Sequence, residues 1–120
     1  MIDLDRRLAI MTGWTYTETQ DVHLGTLCWW SNPVKGLTYP HTPPSYSADI
    51  GACFSELVPW LAAPEREWKL HLDAGVAADE WTAEFRWSWG ERDHKASALT
   101  PEMAIALAAE AVGKAEGWAV

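Results

Sequence analysis

Cysteine is scarce in this chain: only Cys28 and Cys53 occur. They form no CxxC pair, and two thiols cannot build a disulfide framework. Both are expected to be buried, reduced and inert. Positive charge is scarce too, with nine Lys and Arg against seventeen Asp and Glu and a formal net charge of −8. The few cations are scattered. Displacing counterions from a nucleic-acid backbone needs clustered Lys and Arg, so direct DNA or RNA binding is not expected. No apolar run approaches the roughly 18 residues that a membrane span needs. The start, Met1 to Arg7, carries charge from Asp3 onward and has no apolar h-region, unlike a signal peptide. The expected location is therefore cytoplasmic.

The chemistry-bearing motifs are missing as well. His23, His41, His71 and His94 include no i, i+3 or i, i+4 pair and no Cys/His cluster, so no metal site is expected. There is no GxSxG, no GxGxxG and no Walker sequence, which leaves no signature of a nucleophile elbow or a phosphate cradle. The chain is expected not to be an enzyme and to hold no cofactor.

What is present is an ordinary globular composition. The 120 residues are 48% hydrophobic, which suits one domain over residues 1–120. Asp3 to Met11 has helical spacing of Leu4, Leu8 and Met11, with Asp3 as cap and Gly13 as the stop. Residues 14–17 are β-prone, 18–25 are polar and loop-like, and Thr26 to Trp30 is a strand candidate. Val34 to Pro44 is irregular. Ser47 is expected to cap a second helix over Ala48 to about Val58, with Ile50, Phe54, Leu57 and Val58 as its buried stripe and Pro59 ending or bending it. The period then changes to two. Trp68, Leu70 and Leu72 alternate with polar residues, as do Trp81, Ala83, Phe85, Trp87 and Trp89, so these runs are expected to pair antiparallel with one buried face. His94 to Ala98 adds a short strand. Thr100-Pro101-Glu102 opens the last helix, which ends near Gly113 or Gly117. The fold class is α+β: a helix–sheet–helix layered domain with a mostly antiparallel sheet and about three helices.

Three segments then stand together: Leu4 to Trp14, closing on Thr12-Gly13-Trp14; Pro44-Ser45-Tyr46-Ser47-Ala48-Asp49-Ile50; and Ala96 to Ala106, opening on Thr100-Pro101-Glu102. Their order and spacing resemble the phage ABA-sandwich domain family, small proteins of bacteriophages and prophages. The resemblance implies helix–sheet–helix layering and a phage origin, and it carries no catalytic residues to transfer. The Trp content and the Pro-rich stretch at 40–44 depart from what the resemblance covers.

Nine Trp are the most unusual feature. The row on the 81–89 strand suits a core face. Trp29 and Trp30 are adjacent, so on a strand they face opposite ways. With Tyr39 and Tyr46 they flank the Pro-rich stretch, and these four are the candidate binding residues. Two functions follow. The first is a small acidic phage accessory protein that binds and inhibits a host protein with a basic surface, such as a CRISPR or other anti-phage defence component. The second is a module that binds or sequesters a nucleotide signal by aromatic stacking, in a homo-oligomer.

Overall fold

The computed structural model describes residues 2–32, 37–40, 42–75 and 80–118. Among the described residues five helical segments and six strands follow one another as α1 (Ile2–Met11), β1 (Thr15–Asp21), β2 (Gly25–Asn32), β3 (Leu37–Pro40), α2 (Ile50–Ala52), a π-helical segment (Cys53–Leu57), α3 (Val58–Ala62), β4 (Trp68–Ala74), β5 (Trp81–Trp87), β6 (Asp93–Ala98) and α4 (Pro101–Glu116). α2, the π segment and α3 run on as one rod, so there are three helical bodies. All strand pairs are antiparallel, in two three-stranded sheets ordered β1-β2-β3 and β4-β5-β6. The α+β class and the antiparallel pairing are as the sequence predicts, although the strands divide between two sheets.

α1 ends in a Schellman motif. Gly13, at φ +98°, lets its own N–H reach the Ile10 carbonyl and the Trp14 N–H reach that of Ala9. This turn swings the buried Trp14 under the helix. α4 ends the same way: Gly117, at φ +74°, lets the Gly117 N–H reach the Lys114 carbonyl and the Trp118 N–H that of Gly113. Thr100 caps the start of α4 by accepting from the Met103 N–H. Ala104, Ile105, Ala106, Ala108, Ala109 and Val112 are all fully buried, because α4 is covered by β5 and β6 on one side and by α1 on another. The small side chains let the backbones approach closely. On the opposite face of the β4-β5-β6 sheet Lys69, His71, Asp73 and Arg86 are exposed, while Glu84 is buried beside Arg86 and Lys95.

The middle helix departs from expectation. Ser47 does not cap it. Its N–H and hydroxyl donate to the buried Asp5 carboxylate of α1, at 2.8 and 3.0 Å. Asp49 is the cap, accepting from the Gly51 and Ala52 N–H groups, so the helix begins at Ile50. The buried stripe is Cys53, Leu57 and Leu61 together with Glu56, whereas Ile50 and Phe54 face outward. Pro59 does not end the helix, which runs on to Ala62. The turn before it is π-helical, and the Val58 N–H reaches back five residues to the Cys53 carbonyl. Widening that turn relieves the clash a proline ring has with the carbonyl four residues earlier.

The polar residues 18–21 extend β1 rather than forming a loop, and β3 lies within the stretch expected to be irregular. Residues 33–36, 41 and 76–79 of the expected loops are outside the described residues. At the β1–β2 tip, Asp21 Oδ1 accepts from the His23 and Leu24 N–H groups, and Gly25 follows at φ +80°. The β1-β2-β3 sheet is anchored at its base by Trp30 and Tyr16 and projects from the rest. The molecule spans 54 × 34 × 21 Å, with a Cα radius of gyration of 15.6 Å, against about 14 Å for a compact chain of this length. Among the described residues no helix is long and apolar enough to cross a membrane.

Candidate functional site

Of the four aromatic residues singled out in the sequence, Trp30 and Tyr46 are buried in the core and Trp29 is half-buried. Trp30 is 2% exposed, its ring 5.2 Å from Tyr16, with the Arg6 guanidinium 5.7 Å from its centroid. Tyr46 is fully buried; its hydroxyl lies 3.5 Å from Thr12 Oγ1, and its carbonyl accepts from the Cys53 thiol. Trp29 is half-buried and pairs with Thr17 and Pro40. The Tyr39 backbone pairs with Trp30, and its side chain lies outside the described residues. Of the two thiols, Cys53 is buried and Cys28 only half-buried. Burial, followed by the charges of Glu102, Asp49 and Asp5, pushes the Cys53 thiol up to about 12, so it is not a nucleophile at neutral pH.

A different set of aromatics converges. A cleft of about 590 Å³ opens where the ends of α3, β4, β5 and α4 meet, and Trp60, Trp68, Trp87 and Trp118 form its walls. Local structure puts each of them there. Trp60 lies in the last turn of α3 and meets Trp118 edge to face at 5.2 Å. Trp118 is delivered by the Gly117 turn. Trp68 and Trp87 are partners across β4 and β5. Gly90 makes room for the Trp87 ring, since a Cβ there would fall 2.9 Å from it. The strand ends at Trp87, so Trp89 sits in the following turn at 72% exposure rather than in the core row expected for it.

Two arginines lie on these rings. The Arg66 guanidinium is 3.7 Å from the Trp60 centroid, and its Nε donates to the Trp60 carbonyl at 2.5 Å. Arg92 lies 4.1 Å over Trp87 and 5.8 Å from Trp68. Arg92 Nη1 is 2.8 Å from Glu116 Oε1, an ion pair without hydrogen-bond alignment. Arg66 Nη2 is 3.4 Å from Glu65, whose side chain is 65% exposed. Desolvation lowers the Arg66 pKa, and Glu65 acts against that shift without cancelling it. Between Arg66 and Trp68 stands Glu67, at φ +57° the one non-glycine residue with positive φ among the described residues. Its carbonyl is held by the N–H and hydroxyl of Ser88, at 3.0 and 2.9 Å.

Sequence reading passed over this cleft because its residues come from four separate segments. One signal was present: Gly13-Trp14 and Gly117-Trp118 are the same helix-stop followed by the same ring. Among the described residues no three His, Cys, Asp or Glu are grouped as a metal would require. No protein-family model, no curated protein and no solved structure matches this chain.

Proposed function

We propose that this chain is an acidic docking protein without chemistry of its own, which occludes a basic surface of a partner protein. One observation carries the reading: carboxylates are in surplus, seventeen Asp and Glu against nine Lys and Arg, and most of the described cations already face a carboxylate of the same chain. Arg7 and Lys114 face Glu110, Arg86 and Lys95 face Glu84, Arg92 faces Glu116, and Arg66 faces Glu65. Asp3, Asp73, Glu80, Glu91 and Asp93 are exposed and have no Lys or Arg partner among the described residues. A surface of that sign steers toward basic partners and disfavours nucleic acid. The phage resemblance makes the partner a host defence protein whose basic groove holds nucleic acid. The protein then acts in the cytoplasm of the infected or lysogenic cell.

The test is capture from bacterial lysate by the tagged full chain, identification of the captured protein, and a nucleic-acid binding assay on it. The captured protein should be basic and should lose nucleic acid when this chain is added. The complex should weaken steeply between about 0.1 and 1 M salt, as the screening length falls from about 10 to about 3 Å. A salt-insensitive complex, or unaltered affinity in an Asp73→Asn/Glu80→Gln/Asp93→Asn variant, overturns the reading.

A further inference from the structure

We propose that the Trp-walled cleft between α3, β4, β5 and α4 binds a small phosphate ester that carries a planar ring, a nucleoside monophosphate in class. A volume of about 590 Å³ lies in the range of small-molecule sites. Two guanidinium groups are fixed in it by stacking on Trp60 and Trp87. A guanidinium lying over a ring keeps its N–H edge free in its own plane, above the ring, which is the geometry that grips two oxygens of a phosphate. Arg66 is committed through Nε to the Trp60 carbonyl, so its Nη end remains for a ligand.

The counter-charge in place is weak. The Arg66 side chain is only 18% exposed, yet the carboxylate beside it sits 3.4 Å away and largely in water. A half-buried cation with so loose a partner favours an anion brought from outside. Arg92 is half exposed, and its contact with Glu116 is not aligned as a hydrogen bond. A phosphate that takes Arg92 has to turn the Glu116 carboxylate, 20% exposed, out toward water. Trp118 and Trp87 are half-buried, which leaves ring surface for a planar group to stack on. The strained Glu67, pinned by Ser88, aims Arg66 and Trp68 from neighbouring positions, and strain of this kind gathers at binding sites. The cleft lining includes none of the surplus carboxylates named for the docking surface.

The test is calorimetry and Trp fluorescence on the full chain, with adenosine 5′-monophosphate, adenosine and inorganic phosphate as probes. The monophosphate should bind, quench Trp emission, and bind at least about tenfold more tightly than adenosine, the contribution of a charged hydrogen bond. Arg92→Gln, at a half-exposed position, should weaken it by a similar factor, and Glu18→Gln on the exposed face of β1 should leave it unchanged. No heat with any probe at millimolar concentration overturns the proposal. So does equal binding of adenosine and its monophosphate, or unaltered affinity in Arg92→Gln.

Discussion

At the scale of single residues, two buried groups make measurable claims. Asp5 accepts both donors of Ser47 and so ties α1 to the segment that leads into α2. Asp5→Ala removes that acceptor and should destabilise the fold by about 1–3 kcal/mol. Asp5→Asn retains one acceptor oxygen and should cost less; urea melts of the two variants compare them directly. Cys53 makes a kinetic claim. With its thiol held near 12 inside the core, it should resist an aromatic disulfide reagent at pH 8 until the chain unfolds. Two fast-reacting thiols in the native protein would contradict that. The helix stop at Gly13 was legible because a glycine after a periodic apolar stripe has one main use; for α4 the same rule left Gly113 and Gly117 open, and Gly117 is the stop. Asp5 was not legible, since a partner 42 residues away leaves no local trace.

Elements carry predictions of their own. Gly117→Ala keeps the α4 sequence but forces a Cβ into the left-handed region, at a cost of about 1–2 kcal/mol. Because that turn also delivers Trp118, the emission spectrum should shift along with the melting temperature. Ala108→Leu adds bulk where α4 has no space and should cost about 1–3 kcal/mol. The β1–β2 turn has a pH signature. The Leu24 and His23 N–H groups hold the Asp21 carboxyl below its ordinary value. Its folded pKa is thus lower than its unfolded one, so the turn is stabilised above the unfolded pKa. That contribution drains away as pH falls through the lower, folded value. Amide shifts of residues 22–25 should follow this titration, and Asp21→Asn should abolish it. Sequence periodicity found β4, β5, β6, α1 and α4, where one face is apolar and the other polar. It stopped β1 too early because Thr17 to Asp21 is polar on both faces, and only pairing with β2 makes it a strand. In the middle helix it placed Leu57 correctly but put Ile50 and Phe54 on the buried stripe, because a period of 3.6 assumes no π turn.

Over the whole molecule, the two sheets differ in how they are held. The β4-β5-β6 sheet is backed by the fully buried side of α4, whereas the β1-β2-β3 sheet is fixed mainly at its base. Val22 is 97% exposed and Leu24 73% exposed at its far end. Amide exchange should therefore proceed in two steps. The β1–β2 tip should open locally in mild denaturant, while β5 and α4 exchange only with global unfolding. Exchange of every strand in a single step would mean that the projecting sheet is bound more firmly than its packing implies. The four Trp of the cleft also belong to this scale. Each is unremarkable in its own segment, and their meeting depends on how α3, α4 and two strand ends close together.

The π turn before Pro59 gives the middle helix one residue more than a regular α-helix of the same rise. Insertion and proline are consequently a matched pair in heredity. A descendant that deleted one residue from 53–57 would tighten the turn and leave Pro59 facing a carbonyl it cannot accommodate. A descendant that replaced the proline alone would keep a wide turn with nothing left to require it. Related chains, when compared, should carry both features or neither.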